Sequence, residues 1–255
     1  MFRVVIPARY ASTRLPGKPL ALLAGQPMIR RVYAQAMASG ATEVVVATDD
    51  ARIAAVCRDF GAEVEMTAAG HVAGTDRIAE VARRRGWPAT AIVVNVQADE
   101  PLLPPALIDQ AARLLDADEA ADIATLSTPI RSLKEYLDPN VVKVAATSAG
   151  RALYFSRAPI PWQRDTAPAG LASQSDFAGA RRHLGLYAYR VAALLALTAE
   201  PPTPLEQLER LEQLRALELG LTIVVADAAV VPGPGVDTAE DLAAVAALLA
   251  SGASR

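Results

Sequence analysis

The chain predicts an α/β fold: a Rossmann-like, mostly parallel sheet flanked by helices, with a smaller β-rich subregion inserted in the second half. Two observations carry it. Short β-branched runs alternate with segments of helical apolar periodicity through the first half. The first four runs each give way to a polar cluster, and in an open parallel sheet such loop ends gather along one edge, where ligands bind. With 255 residues, 52% of them hydrophobic, the chain can bury one large core.

The run 3–6 opens the sheet and breaks into a loop, 7–20, that carries Arg9, Arg14 and Lys18. Small residues (Ala8, Ala11, Ser12, Gly17) let backbone N–H groups approach an anion there, and three cations can neutralise it. The loop reads as a triphosphate cradle or as a solvated basic turn; it is no P-loop, since GxxxxGK[ST] is absent. Lys18, Lys134 and Lys143 are the only lysines in an arginine-rich chain, which hints at a point-charge phosphate contact for Lys18.

A helix is predicted over 27–39, then a strand over 43–47 that ends at Thr48-Asp49. The next helix, 50–60, holds the single cysteine, Cys57, as a buried structural thiol, so no disulfide framework exists. After a strand at 63–66, His71-Val72-Ala73-Gly74-Thr75-Asp76-Arg77 leads into a helix over 74–85. Thr75 or Asp76 can cap it, and Gly74 permits close backbone approach; capping leaves Arg77 unexplained.

The apolar strand 91–96 delivers Gln97-Ala98-Asp99-Glu100. A carboxylate at that rim suits Mg²⁺, which takes few carboxylates plus phosphate and water oxygens; the alternative is that Asp99 or Glu100 starts the helix predicted over 104–117. A strand at 122–128 follows.

The second half is less regular. Segments 140–146 and 151–155 form a strand pair turning near Gly150, and the Pro-, Gly- and Ser-rich stretch 158–180 is a long loop of the kind that is functional or disordered. A strand at 183–190, a short helix at 192–198 and a strong helix at 204–219 come next, with Glu206, Glu209 and Glu212 reading as a solvated acidic stripe. His183, in a strand, reads as a satisfied histidine rather than a catalyst. After a strand at 221–226, the turn Pro232-Gly233-Pro234-Gly235 precedes a terminal helix at 238–249. Thr238 and Asp241 make a capping arrangement that leaves Asp237 free as a second metal carboxylate.

A net charge of −3 argues against a nucleic-acid binder, so any anion site must be local. No signal-like layout follows Met1 and no apolar run reaches the ~18 residues of a membrane span, so a soluble, cytoplasmic protein without membrane insertion is expected.

Together these segments resemble the 3-deoxy-manno-octulosonate (KDO) cytidylyltransferases, the CMP-KDO synthetases, over nearly the whole chain. The resemblance rests on PARYASTRLPGKPL, VATD, GTDR, VNVQADEP, NVVKV, ALYFSRAPIPW, RHLGLYAYR, LEQLR and PGPGVDTAEDL in this order. It implies CMP transfer from CTP to KDO with Mg²⁺ for lipopolysaccharide synthesis, in a homodimer; the alternative acceptor is an amino-KDO or another acidic sugar. It implies a single domain with core 1–130 and 220–255, and an acceptor-sugar and dimerisation subregion over about 131–219.

The resemblance places Pro7, Ala8, Arg9, Ser12, Arg14, Lys18, Thr48, Gly74, Arg77 and Gln97 at the nucleotide. It places Arg157, His183, Tyr187, Glu212 and Gln213 at the sugar, and Asp99 and Asp237 on the metal; Arg9, Lys18, Asp99 and Asp237 would carry the chemistry. No protein nucleophile is needed, in keeping with the lack of a Ser/His/Asp constellation. The chain departs from the family pattern at Ala98, where Gly is common, and at Ala73, where Ser commonly precedes GTDR. Ala98 therefore demands an ordinary φ.

Overall fold

A computed structural model describes residues 1–11, 14–167 and 169–251. The first half runs β1 (Phe2–Ala8), β2 (Leu22–Leu23), β3 (Gln26–Pro27), α1 (Met28–Met37), β4 (Glu43–Thr48), α2 (Ala51–Asp59), β5 (Glu63–Met66), α3 (Gly74–Arg84), β6 (Ile92–Asn95), α4 (Pro105–Asp116) and β7 (Ile123–Pro129). The second half adds α5 (Leu133–Leu137), β8 (Lys143–Ala146), β9 (Ala152–Ser156), β10 (Arg181–Arg190), α6 (Val191–Ala199), α7 (Pro204–Glu209), α8 (Gln213–Glu218), β11 (Ile223–Asp227) and α9 (Ala239–Ala250).

The strand order is β11-β7-β10-β6-β1-β4-β5. Neighbours are parallel except at β10, which runs antiparallel between β6 and β7. The stretch 131–219 thus supplies a central strand of the sheet, and the β8–β9 hairpin hangs from that strand through Arg182 and Lys143. Both faces of the sheet are covered, as a parallel sheet requires. Alternation along β1 sends Val4 and Ile6 toward α1, α2 and α4, and Val5 toward α3, α6 and α8. Cys57 is fully buried in the first of these clusters, and burial pushes its thiol up to about 12, as expected of an inert structural cysteine.

The helix predicted over 204–219 is two helices. Arg210 sits at φ 54, in the left-handed region, and ends α7. The break lets Arg215 reach back to Glu206 at 2.8 and 2.9 Å and to the carbonyls of Leu197 and Glu200. It also overturns the reading of a solvated acidic stripe. Glu209 accepts from the Ser156 hydroxyl and the Arg157 N–H, and Glu212 accepts from the Thr75 hydroxyl.

A small cluster of Leu23, Met28, Val236 and Val245 docks α9 against the β2–β3 ribbon, beside the cation loop. This contact carries the chain's far end to the site. Among the described residues no helix is long and apolar enough to cross a membrane.

Candidate active site

A cavity of about 760 Å³ opens at the C-terminal ends of β1 and β6. Its wall includes Arg9, Arg14, Lys18, Asp99 and Asp237. Lys18 follows Gly17, whose φ of 69 turns the chain and favours glycine; an added Cβ there would also meet the end of the Tyr10 ring at 3.0 Å. Arg52 lies over the Tyr10 ring, its guanidinium carbon 3.4 Å from the centroid.

Two acids meet at Lys18. Its Nζ donates to Asp99 Oδ2 at 2.5 Å and to Asp237 Oδ1 at 3.1 Å, and Arg14 pairs with the same Asp237 oxygen at 3.2 Å. Burial alone would lower the Lys18 pKa, but the carboxylates, Asp99 foremost, raise it above its ordinary value. Backbone packing brings the acids together. The Val236 N–H donates to the Asp99 carbonyl at 2.9 Å, and the turn lies so close that a Cβ on Gly233 would fall 2.6 Å from Leu102 Cβ. The capping box forms as the sequence implies: Asp241 accepts from the N–H groups of Asp237 and Thr238, leaving the Asp237 carboxylate to the cavity.

Neither Asp99 nor Glu100 begins α4. Glu100 is tucked beneath the Gly235 backbone, and burial, with the Asp99 charge second, pushes its carboxyl up to about 7. Ala98 keeps a negative φ, the ordinary conformation of a residue with a Cβ.

Lining the same cavity are Pro7, Ala8, Gly74, Gln97 and Arg77. Gly74 abuts the Pro7 ring, where an added Cβ would come within 3.2 Å. Gln97 donates to the Gly185 carbonyl at 2.9 Å. Arg77 is a brace more than a reaching hand: it is almost wholly buried, and its guanidinium pairs with Asp49 at 2.9 Å and Thr67 at 2.6 Å. At the start of α3, Asp76 accepts from the Ala73 N–H at 3.0 Å, while Thr75 turns its hydroxyl to Glu212 instead of capping.

A second cavity of about 190 Å³ adjoins through Thr75, Asn95, Gln97 and Glu212, with Tyr187 and Gln213 on its wall. Asn95 and Tyr187 face each other across the β6–β10 pair, and the Asn95 Oδ1 and Tyr187 hydroxyl are buried with no hydrogen-bond partner among the described residues. Such groups call for a polar partner from outside the protein. Burial raises the Glu212 pKa, opposed by the Thr75 hydroxyl and Arg215.

Three predicted residues stand apart from both cavities, and Ser12 lies outside the described residues. Thr48 is buried at the end of β4, where its hydroxyl accepts from the Asp50 N–H at 3.2 Å. His183 is core: its Nε2 shares a 2.9 Å hydrogen bond with the Thr125 hydroxyl, and burial lowers its pKa to about 3. Arg157 donates to the carbonyls of Glu209 at 2.6 Å and Pro139 at 3.0 Å, tying down the α7–α8 break. Conversely, Thr75 and Asn95 line both cavities and were not assigned. A polar residue closing the apolar run Ile92–Asn95 was the available signal for Asn95; Thr75 was hidden by its fitness as a cap.

The residues fit a divalent cation. Lys18 already plays the part of a cation shared by two carboxylates, and the donor set is all oxygen. Among the described residues no group of three or more His, Cys, Asp or Glu could hold a metal, so phosphate and water oxygens would complete the shell, as Mg²⁺ prefers.

A family model described as Cytidylyltransferase matches residues 3–223. A 3-deoxy-manno-octulosonate cytidylyltransferase of Halorhodospira halophila is 56% identical over 251 residues, 98% of this chain and 97% of the relative. One of Cellvibrio japonicus is 56% identical over 253 residues, 98% and 99% of the two chains. The solved structure of a CMP:2-keto-3-deoxy-manno-octonic acid synthetase complexed with CTP superimposes with a TM-score of 0.88 at 39% identity, covering 99% of this chain and 100% of that one.

Proposed function

The chain belongs to the cytidylyltransferase family, and on that premise we propose that it transfers CMP from CTP to KDO, releasing pyrophosphate and supplying the activated sugar for lipopolysaccharide synthesis. The observation that carries the reading is the convergence of Lys18, Asp99 and Asp237 on one point of a cavity that joins a second, polar one.

In this reading the larger cavity holds CTP, with its phosphates toward Arg9, Arg14 and Lys18. These cations offset the charge that grows on the departing pyrophosphate. KDO occupies the smaller cavity, where the unpartnered Asn95 and Tyr187 groups, Gln213 and Glu212 offer hydrogen bonds to a polyhydroxylated acid. The sugar's anomeric hydroxyl then faces the α-phosphate, so most of the catalysis is positioning. Asp99 and Asp237 would hold Mg²⁺, which when bound lowers the pKa of an attacking hydroxyl and withdraws charge from phosphate. A homodimer working in the cytoplasm completes the proposal.

The test is pyrophosphate release from purified protein. Release is expected only when CTP, KDO and Mg²⁺ are all present, and a panel with 8-amino-KDO and a sialic acid fixes the acceptor. Folded protein that releases none with the full mixture refutes the reading.

A further inference from the structure

His71 and Glu80 form a pair that the chemistry above does not use. His71 stands on the wall of the larger cavity, and its Nε2 lies 2.5 Å from Glu80 Oε2. Glu80 is fixed from three sides: it also accepts from the Ala68 N–H at 2.9 Å and pairs with Arg84 one turn on along α3. Burial would raise the Glu80 pKa, but the Ala68 N–H, His71 and Arg84 together keep it below the usual value, so it remains a carboxylate. When the imidazole is neutral, a carboxylate there accepts a hydrogen bond from Nε2–H and so sets the tautomer, leaving Nδ1 as an acceptor. Nδ1 has no hydrogen-bond partner among the described residues.

The rest of the cavity says what that lone pair meets. One end is marked by Arg14, Lys18, Asp99 and Asp237, and a second side opens through Thr75, Asn95 and Glu212 into the smaller cavity. Of the remaining lining, which also holds Arg9, Tyr10 and Arg77, the stretch His71, Val72, Ala73 and Gly74 forms one wall, abutting the Pro7 ring at Gly74. Val72, Ala73 and Gly74 bring no polar side-chain atom. Resting on the CTP reading, this wall is the place for the base.

We infer that His71, held by Glu80, is a specificity-determining residue that accepts a hydrogen bond from the exocyclic amine of cytosine and turns away uracil. Cytosine presents an N–H donor where uracil presents a carbonyl oxygen, so a fixed acceptor attracts one and repels the other. Glu80 is a positioning residue, acting through His71.

The experiment compares CTP with UTP in wild type, His71→Phe, His71→Gln and Glu80→Gln, by equilibrium binding of each nucleotide without acceptor and by kcat/KM with KDO. His71→Phe keeps a flat ring and loses the acceptor. The CTP/UTP preference is expected to fall about tenfold, through weaker use of CTP together with a gain in use of UTP, the usual effect of one lost hydrogen bond to a polar group left buried. His71→Gln, which retains an acceptor oxygen, should recover part of the preference. Glu80→Gln should lose a few-fold, because an amide also donates and no longer sets one tautomer. A merely structural role would move both nucleotides together. An unchanged CTP/UTP ratio in His71→Phe overturns the inference. Failure of wild type to turn over KDO would count against the proposed reaction alone, since the binding arm still reads base preference.

Discussion

Lys18 is held by two carboxylates, and its removal would leave Asp99 without its cation and Asp237 with Arg14 alone. We expect Lys18→Ala to fold normally and to lose about 10²–10³-fold in kcat, the scale of one preorganised charge aimed at a developing anion. Lys18→Arg should not restore it, because a planar fork does not sit between two carboxylates as a compact ammonium does. Asp99→Asn should keep CTP binding and lose most turnover; steady-state kinetics beside nucleotide titration decides, and near-normal turnover would remove Asp99 from the mechanism. At this scale the sequence spoke clearly where a local rule left a residue unexplained. The capping box accounted for Thr238 and Asp241 and left Asp237 over, and the structure turns that carboxylate to Lys18. It spoke poorly where a side chain's partner lies far off in sequence. Nothing near Arg157 announces the Glu209 carbonyl, and nothing near His183 announces Thr125.

The predicted helices were legible because their apolar periodicity is local, and their limits shifted by a residue or two at the caps. The five-residue α5, capped by Ser132, was missed because it is too short to show a period. The other exception is the break between α7 and α8. No Gly or Pro marks it; what selects it is tertiary, the reach of Arg215 to Glu206 and of Arg157 to the Glu209 carbonyl. The chain accepts a left-handed arginine to gain those bonds. Glycine takes that conformation without the Cβ clash, so Arg210→Gly should stabilise the protein by about 0.5–1 kcal/mol, net of the entropy that glycine loses on folding. Arg210 is exposed, so little packing is lost. For a chain of this size the gain is a rise of roughly 2–4 °C per kcal/mol in Tm, read by calorimetry. A fall in Tm would mean that the arginine side chain holds the break, not the bonds around it.

The order of strands was not legible, because β10 joins β6 and β7 across long separations that no local pattern encodes. That central strand also shapes how the whole molecule responds to pH. His183 on β10 is buried neutral, with its pKa lowered from 6.5 to about 3, so the unfolded chain binds the extra proton first and stability falls as pH drops from about 6.5 toward 3. Glu100 is the opposite case. Its pKa is raised from 4.5 to about 7, so the unfolded chain gives up its proton first and stability falls as pH rises from about 4.5 to 7. Each slope is at most about 1.4 kcal/mol per pH unit for one proton. Between pH 4.5 and 6.5 the two oppose each other, and their contributions nearly cancel. Removing either group exposes the other. Relative to wild type, His183→Gln should tilt the curve so that stability falls more with rising pH across that window, and Glu100→Gln should tilt it the other way. Denaturant midpoints taken every half unit from pH 4 to 8 read this directly, in protein without nucleotide or metal. Variants whose curves run parallel to wild type would show that neither group's burial persists in solution.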